Sequence, residues 1–305
     1  HPAFDSNRRV YITYTAPRRA SAPSDWDCTL RLSEFRLPSH QPLLIDPAKA
    51  KDHAVLAEKF GFTDILAKLF GEAPQPYVEN GVGVIPVSGV IGKGLSPMER
   101  MMGAVDVDDI SDAIDLFDDA PDVQKIAFRV SSPGGTVTGV EELANKVRNI
   151  SKPTMAYTDT EMASAAYWIG AAADKVVASP SSTVGSVGVY MVVPDYSKAA
   201  EAQGIRMVVV KAGQHKAIGV PGAAITPEQE AHLQLGVDEI WADFKASVLQ
   251  TRTLVQPCDM EGQCFSGKQA AAQGLVTGLA DSFDEAVAMW ADNSISPAPA
   301  QPAKR

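Results

Sequence analysis

A chain of 305 residues, 45% hydrophobic and 21% charged, is large enough to bury a core without disulfides or metals. Its formal net charge of −10 argues against a nucleic-acid-binding surface, and its three cysteines, Cys28, Cys258 and Cys264, match no disulfide framework or common zinc spacing. They read as free thiols in a reducing compartment, and with no apolar run long enough to span a membrane and no leader of the charged-then-apolar form, a soluble cytoplasmic chain is expected.

Residues 1–45 contain stretches such as "APRRASAPSDWD", rich in Pro, Ser and Arg without a period, and predict an irregular or disordered lead. Residues 46–75 predict a short helical segment, "AVLAEKFGFTDILAKLF" broken at Gly61, followed by a Pro-containing linker, "GEAPQPYVENG". The ordered domain is expected over 76–293. It opens with the β-branched strand "GVGVIPVSGVI" and the acidic amphipathic helix "VDVDDISDAIDLFDDAP", stopped by Pro121. There follow a strand "VQKIAFRV", a turn "SSPGG", a helix "GVEELANKVRNI", a strand "KPTMAYTD" and a buried helix "ASAAYWIGAAAD". Strands are then predicted at "KVVASP", "SVGVYMVV" and "IRMVVVKAG", with a helix "DYSKAAEAQG" before the last of these. A long helix is expected from Pro227 to Arg252, with shorter ones at 267–273 and 283–292. A Pro/Ala-rich tail follows at 294–305.

Strands alternating with helices at this spacing predict βαβ units and an α/β fold with a mainly parallel sheet. In such folds the turns after strands carry the chemistry. Two turns stand out. In "RVSSPGGTV" the glycines Gly134 and Gly135 allow backbone conformations that a Cβ forbids, so a freed N–H can point at a developing oxyanion. A plain Pro-Gly turn is the competing reading. In "TEMASAAYW" Ser164 stands where a helix begins, among unpaired amides that favour an alkoxide, with the Ala165 N–H as a second oxyanion donor. The competing reading is a serine that only caps the helix.

A serine nucleophile needs a base. Of the five histidines, His1, His40 and His53 lie before the domain and His232 lies on the long helix. His215 has no distinguished acidic partner. A lysine serves if it is neutral, which requires a dry pocket, because at a pKa of about 10.4 almost none is neutral at pH 7. Lys216, in the glycine-flanked "KAGQHKAIGVPG", is the best placed; Lys211, at the end of a predicted strand, is the competitor, and a solvated surface lysine is the bland reading of either.

Taken in order, "GVIPVSGVI", "SSPGG", "MASAAYWIGAAADKVVAS", "TVGSVGVYM", "DYSKAAEAQGI", "KAGQHKAIG" and "FSGKQAAAQGLVTGLAD" resemble the signal peptide peptidase A family, which includes the phage prohead proteases. The resemblance runs from about Gly81 to Trp290. It implies a Clp-protease/crotonase-like layered α/β spiral and an ATP-independent serine endopeptidase that uses a Ser-Lys dyad, with no cofactor and no metal. It makes Ser164 the nucleophile and Lys216 the general base. It puts Gly134 and Gly135, with Ala165, around the oxyanion hole and makes Ser186 a residue that orients the lysine. A polypeptide substrate, either signal-peptide remnants or phage capsid and scaffold proteins, is implied, as is a ring-like homo-oligomer. Whether Ser164 and Lys216 meet within one subunit stays open. Two departures are visible: Ala165 and Ala166 replace frequent glycines, and Ser132 stands where Asn or Asp is common. The alternatives are a crotonase-like acyl-CoA enzyme and a non-catalytic scaffold.

Overall fold

The computed structural model describes residues 43–45 and 74–295. The helical segment expected at 46–70 lies outside the described residues, as does the tail beyond Ile295. Leu43–Ile45 (β1) is a strand, so the expected irregular lead ends in regular structure.

The stretch expected as a linker instead turns back on itself. Tyr77–Glu79 (β2) pairs antiparallel with Val82–Ser88 (β3). The two residues between them, Asn80 and Gly81, both have positive φ, 49° and 77°. Asn-Gly is the pair a two-residue hairpin turn of this twist demands.

From β3 the chain builds a six-stranded sheet. Ile91–Gly92 (β4) leads to the helix Pro97–Met101 (α1), and Val105–Asp106 (β5) leads into Val107–Asp119 (α2). The helix places Ile110, Ile114 and Phe117 inward at helical spacing and its carboxylates outward. Lys125–Ser131 (β6) is followed by Gly134–Thr136 (β7) and the helix Val140–Arg148 (α3). Thr154–Thr158 (β8), Glu161–Ala163 (β9) and the helix Ala165–Ala171 (α4) come next, then Lys175–Ala178 (β10) and Thr183–Gly185 (β11). After Ser197–Ala202 (α5) and Pro227–Thr251 (α6), the chain closes with Cys264–Ser266 (β12), Gly267–Ala272 (α7), Gly278–Leu279 (β13) and Phe283–Ala291 (α8). The large sheet has the order β13-β10-β8-β6-β3-β2, and every neighbouring pair but β2–β3 is parallel. Both faces are covered, as a parallel sheet requires. On one face Ile85, Ile126 and Phe128 join a core with α2, α3 and α4. On the other, Val84, Met155, Tyr157 and Val177 pack under Phe283 and Trp290 of α8. The layered α/β architecture with mainly parallel strands is the one the alternation of elements predicts.

Two smaller sheets flank it, β1-β7-β4-β5 and β12-β11-β9. They hold the two turns singled out above. Two expected strands do not form. In "SVGVYMVV" the extended run has already stopped, because Gly185 and Ser186 both have positive φ, 115° and 52°. The ladder there is Thr183–Gly185 instead. "IRMVVVKAG" forms no regular structure: Ile205 to Lys216 are all exposed, and no strand among the described residues pairs with the run. No helix among the described residues is long and apolar enough to cross a membrane.

Candidate active site

Ser164 joins β9 to α4 at a sharp corner. Its φ is 55° and its ψ −123°, a region that costs a non-glycine residue about 1–3 kcal/mol. The surroundings over-determine it. Its amide donates to the Gly185 carbonyl at 2.8 Å, and its own carbonyl takes the Trp168 amide at 2.9 Å to start the helix. Ser164 is 1% exposed, yet its side chain caps no helix amide and makes no hydrogen bond among the described residues. The reading of Ser164 as a mere cap therefore fails. The hydroxyl sits unengaged at the helix start, beside the Ala165 amide, which no intrahelical carbonyl can reach.

The helix that carries this corner is fixed on all sides. Every residue of α4 is buried. Trp168 stacks on Phe244 of α6 with ring centroids 4.5 Å apart and planes at 4°. Gly170 has no room for a side chain, because a Cβ there would lie 2.4 Å from Met162 Sδ. Tyr167 donates to the Leu275 carbonyl at 2.7 Å; burial pushes its phenol well above its ordinary pKa, against the opposing pull of Arg252. The buried Arg252 guanidinium in turn gathers the Ala171 and Asp174 carbonyls and the Thr277 hydroxyl, so a cation holds the carbonyl end of α4.

The "SSPGG" turn lies against β9. Ser132 bridges Met162 in parallel, its amide donates to the Glu161 carbonyl at 2.9 Å, and its carbonyl accepts from Ala163 at 3.2 Å. Gly134, with φ of 104°, donates its N–H to Ser132 Oγ at 3.1 Å. At Gly135 a Cβ would fall 1.8 Å from the Ile91 carbonyl oxygen, so only glycine lets β7 lie against β4. Gly135 is thus required by a close approach of two strands and Gly134 by its positive φ, a combination that a plain surface turn would not need. Ser186 also belongs here: β11 runs parallel to β9 with Gly185 opposite Ala163, so Ser186 and Ser164 leave adjacent strands in register. Both have positive φ, and the Ser186 amide is held by the Gln263 carbonyl at 2.8 Å. A pocket of about 340 Å³ opens from Ser186 between Tyr190, Gln234, Trp241 and Glu261; no motif in the sequence pointed to Trp241.

Lys216 is not brought to Ser164 within one chain. It stands on an exposed turn, its amide bonded to the Gly213 carbonyl at 3.2 Å, and no hydrogen bond joins it to Ser164. The dry pocket expected around it is not formed by one copy of the chain. Lys211 bonds locally to the Gln214 carbonyl at 2.7 Å, and His215 stacks on His232 at 4.1 Å. Neither reaches the serine.

Residues 146–294 match Peptidase family S49. Among similar proteins, the Putative protease MJ0651 of Methanocaldococcus jannaschii is 34% identical over 193 residues, covering 61% of this chain and 60% of that protein. The Capsid assembly protease C of Escherichia phage lambda is 26% identical over 278 residues, covering 82% of this chain and 63% of that one. The chain thus spans less than two thirds of the length of either relative. An enoyl-CoA hydratase/isomerase family crystal structure aligns over 72% of this chain and 74% of its own at a TM-score of 0.42 and 17% identity.

Proposed function

From the match of residues 146–294 to Peptidase family S49, we propose that this chain is a serine endopeptidase of that family, working through an acyl-enzyme on Ser164. One observation carries the reading: a buried serine, strained at a strand-to-helix corner, with its hydroxyl unengaged at the start of a helix. Strain of this kind persists where the surroundings enforce it, and it aims a nucleophile out of the backbone's own hydrogen bonding.

In the proposed reaction Ser164 Oγ attacks a peptide carbonyl while a neutral Lys216 takes its proton. The carbonyl π pair moves onto oxygen, where the Ala165 N–H and the backbone at Gly134–Gly135 stabilise it. Gly134 is now engaged by Ser132 Oγ, so it serves only if that hydroxyl rotates away. Collapse of the intermediate breaks the C–N bond, and the proton on Lys216 goes to the departing amine. Water, deprotonated by the same lysine, then releases the acyl group. Ser186, which follows the strand in register beside Ser164, steadies the lysine amine in this mechanism.

Lys216 is supplied in this proposal by a second copy of the chain. Two features support that. Lys216 is exposed and separate from Ser164 in one copy, and the run just before it exposes Ile205, Met207, Val208 and Val210, apolar side chains that a neighbouring copy would cover. For the substrate, polypeptides of the capsid or scaffold class are favoured over signal-peptide remnants, because similarity to Capsid assembly protease C extends over 82% of the chain.

Labelling with a fluorophosphonate probe, together with hydrolysis of an extended apolar peptide, tests the nucleophile. Ser164→Ala should abolish labelling and lower kcat by more than about 10³-fold. Full labelling or hydrolysis in that variant ends the proposal.

A further inference from the structure

The sheet β1-β7-β4-β5 has one of its two inner strands, β7, at the "SSPGG" turn. One edge of β7 is taken by β4, through Ile91 and Gly135. The other edge is taken by β1, which pairs antiparallel with Leu43 opposite Thr136, Leu44 opposite Gly135 and Ile45 opposite Gly134. β1 is only three residues long and pairs with no other strand among the described residues. In the sequence it reads Leu-Leu-Ile, an apolar tripeptide between Pro42 and Asp46-Pro47. Residues 46–73 separate it from the rest of the domain, to whose compact unit it nonetheless belongs.

The direction of pairing matters. Ile45, the last residue of β1, faces Gly134, at the end of β7 nearest Ser132. The Ser132 carbonyl holds the Ala163 amide, one residue from Ser164. An extended peptide added to this edge in this direction presents its C-terminal carbonyl to the corner that carries the serine. Addition of a strand to an open edge is a general way to bind an extended peptide: the backbone supplies affinity and alternate side chains supply selectivity.

We propose that Leu43–Ile45 is a tethered occupant of the substrate-binding edge of β7, so that the chain competes with its own polypeptide substrate. The inference rests on the peptidase reading above, because that reading makes the Gly134 end of β7 the place where substrate must lie. It deepens that reading in two ways. It identifies the edge a substrate pairs with, and it describes the ligand: an extended segment with aliphatic residues before the bond nearest Gly134.

Proline variants in the full chain test it, because proline keeps the extended form but removes the N–H that a strand donates. In an antiparallel edge strand alternate amides face the partner, so Leu44→Pro and the double variant Leu43→Pro/Ile45→Pro together cover both cases. At least one should lower KM for an extended peptide about threefold to tenfold with kcat unchanged, the range for losing one or two backbone hydrogen bonds of a competitor. A labelled peptide of residues 41–47, QPLLIDP, should bind that variant more tightly than the parent by the same factor. The triple variant L43G/L44S/I45G keeps every amide and lowers only strand propensity; it should shift both quantities the same way if the proline chains do not fold. Binding is measured with Ser164→Ala as background, so it does not depend on turnover. A chain that binds the peptide but hydrolyses nothing sinks the peptidase reading and leaves β1 as an occupant. A chain that hydrolyses peptides with unchanged KM and unchanged QPLLIDP affinity in all three variants overturns the inference alone. Lower thermal stability without a change in KM or affinity, the outcome of a merely structural strand, overturns it as well.

Discussion

At Ser164 the cost of the backbone and the benefit of the side chain pull in opposite directions. A φ of 55° with a ψ of −123° suits glycine, yet the position holds a serine whose hydroxyl bonds to nothing among the described residues. Nothing in the local fold requires that hydroxyl. Replacement by glycine relieves the strain but adds backbone freedom to the unfolded chain. Taking about 1–3 kcal/mol for the first and about 0.5–1 kcal/mol for the second leaves a net gain of roughly 1 kcal/mol. Ser164→Gly is therefore expected to be more stable than the parent in urea denaturation while losing all acyl-enzyme formation, whereas Ser164→Ala loses the activity without the gain. A loss of stability in Ser164→Gly would mean that the hydroxyl is structural. The residue type was visible in the sequence, because a lone serine among alanines at a strand–helix junction is conspicuous. The sign of its φ was not: it follows from the Gly185 carbonyl and from the register of β9 with β11, contacts between segments some twenty residues apart.

The element that supports the glycine pair is a small sheet held by one carboxylate. Asp106 is fully buried, ends β5 and caps α2. It accepts from the Leu95 amide at 2.7 Å, the Asp108 amide at 3.0 Å and Arg100 Nη2 at 2.7 Å. Burial alone would raise its pKa, but these amides, with that of Gly94 and the Arg100 charge, outweigh burial and hold the carboxyl below its ordinary value. A carboxyl depressed in the folded state stabilises above its unfolded pKa and loses that contribution as pH falls through the folded one. The parent should accordingly lose stability below about pH 4, more steeply than Asp106→Asn, which should already be weaker by about 1–2 kcal/mol at pH 7. Denaturation curves at pH 7 and pH 3.5 check it: parallel losses in both proteins would remove Asp106 as the cause. The longer elements were legible, by helical periodicity at 107–119, by a β-branched apolar run at 125–131 and by length after a proline start at 227–251. Val107–Asp119, Lys125–Ser131 and Pro227–Thr251 lie within a few residues of their predicted bounds. The short pieces were not legible. Tyr77–Glu79 hid behind two prolines although Asn80-Gly81 announced its turn, and Leu43–Ile45 is too short to show a period. The run Ile205–Val210 has the composition of a strand, but composition cannot supply the neighbouring edge that makes one.

At the scale of the whole molecule, the proposed mechanism finds its nucleophile corner complete in one copy of the chain and its base out of reach. Ser164 is buried and Lys216 is exposed, and the apolar run Ile205–Val210 leads directly to Lys216. If a second copy covers that run, it also brings a lysine out of water, and the proton acceptor exists only in the assembly. This has a consequence that a dyad within one subunit cannot mimic. Ser164→Ala and Lys216→Ala should each be inactive alone, but mixed under conditions that exchange subunits they should form some sites with serine from one variant and lysine from the other. With random mixing at equal amounts, about one site in four is intact, because serine and lysine are each present with a chance of about one half in a heterologous ring contact. Hydrolysis by the mixture should recover to roughly a quarter of the parent rate and fall on dilution below the assembly concentration. If both residues act within one subunit, every subunit in the mixture lacks one of them and no activity returns at any ratio. Exchange itself is followed independently by mass spectrometry of mixed oligomers, so silence from a mixture that has exchanged removes the shared-site arrangement, while recovery makes the exposed lysine and the bare apolar run two parts of one interface.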